Sequence, residues 1–322
     1  MKSLQFHERK HLEKLLQQEG SLKYIYDEFV RNTGHIMTRW KETSSDNAWY
    51  RNSKIEADIE KELQLLHDKM QENISNYSID AWNRANLKYD DLVSSYIENM
   101  PINDIAKRGM FARNMEAMSA FLSRRIDGLT LSDRIWKVTG TAKENIEYYL
   151  QSGISTGRPA NKISQDIRQL LKEPDRRFRR VRNADGKLVM SQPMKDYHPG
   201  SGVYRSSYMN AKRLAVSETN AAYRKADTER WKQLDFVLGV DIKRSAWKKA
   251  PCPVCDPMVG RYPKNYPFIG WHPFCMCHAV PVLMEEDAFI DNLVDETPID
   301  PSLYVKDIPE TAKEYLKDHT VF

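Results

Sequence analysis

The residues with the clearest capacity for chemistry lie between Cys252 and His278, CPVCDPMVGRYPKNYPFIGWHPFCMCH, which holds all four cysteines of the 322-residue chain. As spacing it reads C-x2-C-x16-H-x2-C-x-C-H. A C-x2-C pair turns both sulfurs toward one ion, and a second knuckle some 15–20 residues on completes a tetrahedron. On extended backbone Cys275 and Cys277 share a face and His278 points the other way. The spacing therefore ranks Cys252, Cys255 and Cys277 first, with His272 and Cys275 competing for the fourth place. Thiolate and imidazole donors suit Zn2+, one per chain. Buried unliganded cysteines and disulfides are the competing readings, and a strained C-x-C bridge disfavours the latter. Four or five protein donors close the coordination sphere, so the site is expected to be structural. The metal would substitute for a core in a segment rich in Pro and Gly.

Other catalytic signatures are absent: no phosphate-binding glycine loop, no G-x-S-x-G, no HExxH helix and no kinase set. The alternative function is a zinc-containing nuclease or hydrolase acting on nucleic acid. A nuclease of the His-Asn-His type would need a metal-binding histidine with a partner Asp or Asn beside a ββα unit, and none assembles from these residues.

Positioning this cluster requires flanking elements. Phe236 to Ser245 and His278 to Met284 read as strands on either side of it. Ahead of them, NAKRLAVSETNAAYRKADTERWKQL reads as a helix from about Tyr208. Glu218 stands among its Ala and Val positions, and a carboxylate there needs a partner from another element. Residues 1–140 read as helical. Leu12, Leu15, Leu16, Leu22, Ile25, Tyr26 and Phe29 recur at helical intervals, as do Ile55, Ile59, Leu63, Leu66 and Met70. The polar stretch 42–52 reads as a loop, and Ser78 and Ser132 as N-caps. AKENIEYYLQSGISTGRPANKISQDIRQLL (142–171) reads as helix, turn, helix, with Gly153 and Gly157 bracketing the turn. Residues 175–192 read as a β-hairpin turning at Asn183-Ala184-Asp185-Gly186. The expected fold is α+β and mostly α-helical: a helical body, a β-hairpin insertion and a small C-terminal zinc-stapled β-unit.

Net charge is only +4, but its distribution is uneven. Residues 158–213 carry 14 Lys/Arg against 5 Asp/Glu, and residues 285–322 carry 3 against 11. Arg176, Arg177, Arg179, Arg180 and Arg182 crowd one hairpin arm. They serve either as edge protection or as a contact for DNA or an acidic protein surface. The acidic tail, with three prolines, is expected to wrap over the surface or end without fixed structure. No signal peptide or membrane-spanning run is visible, so a reducing compartment that favours metal over disulfides is expected.

Taken in order, R-L-A-x-S-E-T-N (213–220), C-P-x-C-D (252–256), a G-x-Y turn (260–262) and G-W-H-P-x-C-x-C (270–277) resemble the phage Mu F-like minor head proteins, also called phage head morphogenesis proteins. The resemblance covers about residues 140–285, which sets expected divisions of 1–140, 141–285 and 286–322. Met276 stands where the family usually has an arginine, and Val216-Ser217-Glu218 where it usually reads R-T-E. The resemblance implies a structural protein without catalytic activity. It would be carried inside a tailed-phage or prophage head near the portal, assisting head assembly, DNA packaging or genome delivery. Its implied partners are the portal protein, the major capsid protein and packaged DNA bound without sequence preference. Its implied locations are the virion and, during assembly, the host cytoplasm.

Overall fold

The computed structural model describes residues 2–38, 53–155, 171, 180–190, 207–245, 250–295 and 297–319. Helices α1 (Lys2–Thr38), α2 (Ser53–Tyr96), α3 (Asp104–Met110), α4 (Met115–Leu122) and α5 (Leu131–Ser155) come first. Strands β1 (Arg180–Arg182) and β2 (Leu188–Met190), helix α6 (Ser207–Lys232) and strands β3 (Val237–Lys243), β4 (Gly260–Tyr262) and β5 (His278–Leu283) follow. Helices α7 (Glu286–Val294) and α8 (Glu310–Asp318) close the order. The α+β, mostly helical expectation therefore holds. Among the described residues no helix is long and apolar enough to cross a membrane.

The chain divides into two compact units built from separated stretches. One unit comprises Gln18–Asn73 and Arg125–Ala215. Its core takes Leu22, Tyr26 and Phe29 from α1, Leu63, Leu66 and Met70 from α2, and Ile135 and Ile146 from α5. These are the stripes expected from spacings of three and four. Gly20 does not interrupt α1, and Leu16, placed on the stripe by spacing, is exposed instead. Two N-cap expectations fail. Ser78 is buried in mid-α2 because Ile74, Ala81 and Trp82 carry the apolar stripe through it. Ser132 lies inside α5, whose start is fixed two residues earlier, at Thr130, by a capping box. There the Asp133 amide donates to Thr130 Oγ1 at 3.2 Å and the Thr130 amide to Asp133 Oδ2 at 2.9 Å. Gly153 is likewise helical, within α5; the rest of the expected turn, at 156–157, and the polar stretch 42–52 lie outside the described residues.

Within the described residues 180–190 the expected hairpin forms; 175–179 and 191–192 lie outside them. β1 pairs antiparallel with β2, Val181 opposite Val189. Asn183 Oδ1 accepts from the amides of Asp185 and Lys187 at 3.1 and 2.9 Å, and Gly186 takes the positive φ of 76° that closes the turn.

The other unit comprises Met1–Gln17, Ile74–Arg124 and Val216–Phe322. Its three-stranded antiparallel sheet has the order β4-β3-β5. Pro281 is tolerated in β5 because that strand is an edge, with Pro281 opposite Val240 of the central strand. The third strand, β4, occupies the position expected to be a turn; Tyr262 pairs with Val240 and Arg261 with Asp241.

The acidic segment after residue 285 takes the first of its two expected courses and packs onto this unit. Phe289 of α7 and Ala312 of α8 are buried in the same core as Phe236, Val240 and Trp271. Between these helices, the Val305 amide donates to Leu238 O at 2.9 Å. Two glycines make room for that crossing. A Cβ on Gly239 would fall 2.5 Å from Val305 Cγ2, and one on Gly260, whose φ is +134°, 2.7 Å from Pro309 Cγ. Gly239→Ala is therefore expected to cost about 1–3 kcal/mol of stability through overpacking. Urea unfolding would measure it, and an unchanged midpoint would mean that Val305 yields.

Candidate metal centre

The sheet positions the cysteine segment. The first knuckle lies between β3 and β4, and His272, Cys275 and Cys277 lie between β4 and β5. Within the first knuckle the Cys252 amide donates to Asp256 Oδ2 at 2.9 Å, and the Cys255 amide to Cys252 Sγ at 3.4 Å. Arg244 pairs with Asp256 and donates to Ala250 O, so the approach from β3 is held as well. In the second knuckle the Cys275 amide donates to His272 O at 3.0 Å, with Phe274 at a φ of +59° in the tight turn between them.

All five expected donors come together. Cys252, Cys255 and His272 form one group whose ligand atoms lie within 4.8 Å of one another; Cys255, Cys275 and Cys277 form another. Cys255 belongs to both. Its Sγ is 3.1 Å from His272 Nε2 and 3.9 Å from Cys275 Sγ, and Cys252 Sγ is 3.4 Å from His272 Nε2. Zinc–sulfur bonds of about 2.3 Å in a tetrahedron separate sulfurs by about 3.8 Å, so these spacings fit a single ion. His272 Nδ1 donates to Pro273 O at 2.7 Å, which turns the Nε2 lone pair toward the sulfurs. His278, expected to point away, joins neither group.

Protonation follows the same geometry. Burial opposes ionisation of Cys252, but the amides of Cys255 and Val254 aimed at its sulfur and the nearby His272 lower it to about 7. Hydrogen bonds from the Cys255 and Cys277 thiols hold Cys275 far below the ordinary thiol range, and Cys255, as donor, is raised. The sulfurs thus share protons that a cation would displace.

The surroundings correct one expectation. The segment shares the apolar core of its unit: Met258, Tyr262, Phe268 and Trp271 are buried in the same cluster as Trp231 and Phe236, with Phe268 and Trp271 rings 4.8 Å apart. A metal here secures knuckles on an existing core and does not replace one.

Residues that the spacing did not single out brace the second knuckle. Arg224 of α6 donates to Ile269 O at 2.7 Å through Nη1 and to Cys275 O and Cys277 O at 2.6 and 2.8 Å through Nη2. Asn220 Nδ2 reaches Cys275 O at 3.4 Å. Gly270, at a φ of +122°, is needed because a Cβ there would lie 2.5 Å from Arg224 Nη1. Arg224 falls on the buried stripe of α6 with Val216, Asn220, Tyr223 and Asp227, and a cation on an apolar stripe was the available signal. Glu218 finds the partner it required: Arg124, from the end of α4, donates to its Oε2 at 2.8 Å.

Beside the clasp lies a buried charge cluster. Lys88 donates at 2.8 Å to both Glu8 Oε1 and Asp227 Oδ2, and its ammonium sits 4.4 Å from the Tyr223 ring centroid. Burial works against the Lys88 charge, yet the two carboxylates outweigh it and raise its pKa. Burial likewise works against Glu8, but Lys88 holds that carboxyl below its usual range. At Asp227 burial wins and lifts the pKa from 3.8 to about 7. Folded Asp227 therefore keeps a proton that the unfolded chain releases near pH 4. Its contribution to stability is complete below that pH, falls as pH rises, and levels off above about 7. Asp227→Asn is expected to flatten this part of the stability–pH curve, as thermal melts between pH 5 and 8 would record; an unchanged slope would refute the assignment.

Of the hairpin arginines, Arg182 is exposed and donates to Gly186 O at 2.7 Å. Arg180 lies in β1, and Arg176, Arg177 and Arg179 lie outside the described residues. Comparison with protein-family models, curated proteins and solved structures finds no match to this chain.

Proposed function

We propose that this chain is a zinc-clasped structural protein of the Mu F-like head morphogenesis type, working beside the portal of a tailed-phage head. The observation that carries this reading is a direct bond between the motifs of the resemblance. Asn220 closes R-L-A-x-S-E-T-N and donates to Cys275 O in G-W-H-P-x-C-x-C. Two separate stretches of the resemblance thus pack against each other in the fold. The donor set supports a structural ion: three thiols and an imidazole already fill the four positions of zinc and leave none for a reacting water. Zn2+ is the ion best matched to thiolate with imidazole, held by four of Cys252, Cys255, His272, Cys275 and Cys277.

In this reading the arginines at 176, 177, 179, 180 and 182 supply a salt-dependent contact to packaged DNA or an acidic portal surface. Co-expression with the portal protein encoded in the same genome tests the assignment. The expected result is a complex that copurifies with about one zinc per chain by metal analysis. A chain that carries zinc but passes through a portal column unretained would overturn the head assignment and leave the metal centre standing. A chain purified without chelator and free of zinc would overturn the metal centre.

A further inference from the structure

A cavity of about 480 Å³ opens beside the clasp, between α1, α6 and β5, and the structural role just proposed makes no use of it. Leu4, Leu12, Met276 and Val280 give it apolar walls, and the stacked His11–Tyr223 pair, 3.8 Å between centroids, lines it as well. Most polar groups there are already engaged. His11 Nε2 donates to Asn220 Oδ1 at 2.8 Å, Arg84 lies 3.4 Å from His11 Nδ1, and Arg224 is spent on three carbonyls. Burial holds His11 neutral, its pKa drawn down to about 3.

Among the buried polar atoms of the described lining, one is not engaged. Asp227 is 2% exposed, lines the cavity, and keeps Oδ1 without a hydrogen-bond partner while Oδ2 is taken by Lys88. A buried carboxyl oxygen left unbonded costs about 1–3 kcal/mol, which a ligand group reaching it would recover. The lining also carries Arg9, Lys243 and Arg244. Arg9 and Lys243 are more than half exposed, in surface pairs with Glu13 at 3.9 Å and Asp241 at 3.2 Å. Pairs of that kind contribute little, so both cations are available to a stronger anion.

The ligand must therefore bring a polar hydrogen-bonding edge to Asp227, an apolar or aromatic body to the walls, and negative charge to the basic side chains. An amine meets the first need but is repelled by the entry cations and by Lys88. A nucleobase meets it without charge. Its edge sets N–H groups beside ring acceptors and so matches the carboxyl in either protonation state, while its face suits the aromatic lining. We propose that this cavity is a nucleotide site, taking the base toward Asp227 and the phosphate toward Arg9 and Lys243. The nucleotide is either free or the phosphorylated end of a DNA strand. The proposal stands apart from the metal and the portal.

Calorimetric titration of the full chain at pH 8 tests it. The four deoxynucleoside 5′-monophosphates, a 5′-phosphorylated oligonucleotide, the matching unphosphorylated nucleosides and inorganic phosphate are the probes. At least one monophosphate, or the phosphorylated strand, is expected to bind at least ten-fold more tightly than its nucleoside or phosphate alone. The arm that binds identifies the source. Arg9→Ala with Lys243→Ala should weaken that binding about ten-fold without moving the melting temperature. Val280→Trp, which fills the cavity, should abolish it. Phosphate competing as well as the nucleotide, binding that survives Val280→Trp, or no binding at millimolar concentration would each overturn the proposal.

Discussion

Cys255→Ser is expected to abolish metal retention and to loosen both knuckles together, because Cys255 alone belongs to both donor groups. Structural zinc contributes about 10–16 kcal/mol of apparent binding free energy in small finger peptides, where folding depends wholly on it. Here Met258, Tyr262, Phe268 and Trp271 are buried beneath the clasp, so loss of the ion should leave the sheet standing. The expected pattern is zinc content near zero, a large drop in melting temperature, and new protease cleavage confined to residues 250–278. Cys252→Ser removes a donor from one group only and should retain metal with at least ten-fold weaker affinity. Equal loss in the two variants would show that Cys252 is as necessary to the single tetrahedron as Cys255.

Lys88→Met is the second change expected to act strongly. It strips the cation from buried Asp227 and from half-buried Glu8. Breaking a buried pair by removing one partner costs about 3–5 kcal/mol, far more than the net value of the intact pair. Denaturant unfolding should register the loss, and adding Glu8→Gln and Asp227→Asn to Lys88→Met should recover much of it. A triple variant no more stable than the single one would mean that Lys88 acts through its contacts with Tyr89 and Tyr223 instead.

The contrast between these two sites explains what could be read from the chain. The knuckles were legible because a C-x2-C turn is local: the backbone that aims Cys252 and Cys255 lies within the motif. The flanking strands were legible from their own residues too: the runs 236–245 and 278–284 contain β3 at Val237–Lys243 and β5 at His278–Leu283. Short strand β4 was missed because Gly260-Arg261-Tyr262 has no pattern of its own and becomes a strand only by pairing with β3. The Glu8–Lys88–Asp227 cluster was invisible since its bonds join residues 80 and 139 positions apart. Each of the three looks alone like an ordinary charge on a helix. The segment after residue 285 was legible as a wrap but not in its contacts, for a related reason. Its acidic composition describes its outer face, whereas Phe289 and Ala312 decide where it packs.

The crossing of Val305 and Pro309 over Gly239 and Gly260 also orders events in time. Both knuckles, complete at Cys277, precede Val305 by 28 residues in the chain. At about 5–20 residues per second, a ribosome needs about 1–6 s to make that stretch. Through that interval the sheet is without its strap, and the thiols can meet an ion while the glycine cradle is still open. Capture of an ion by the proposed clasp would thus be separable from strap closure, with the order of synthesis favouring capture first. A chain forced to refold from denaturant has no such head start, and its yield should depend on zinc being present before the denaturant is diluted.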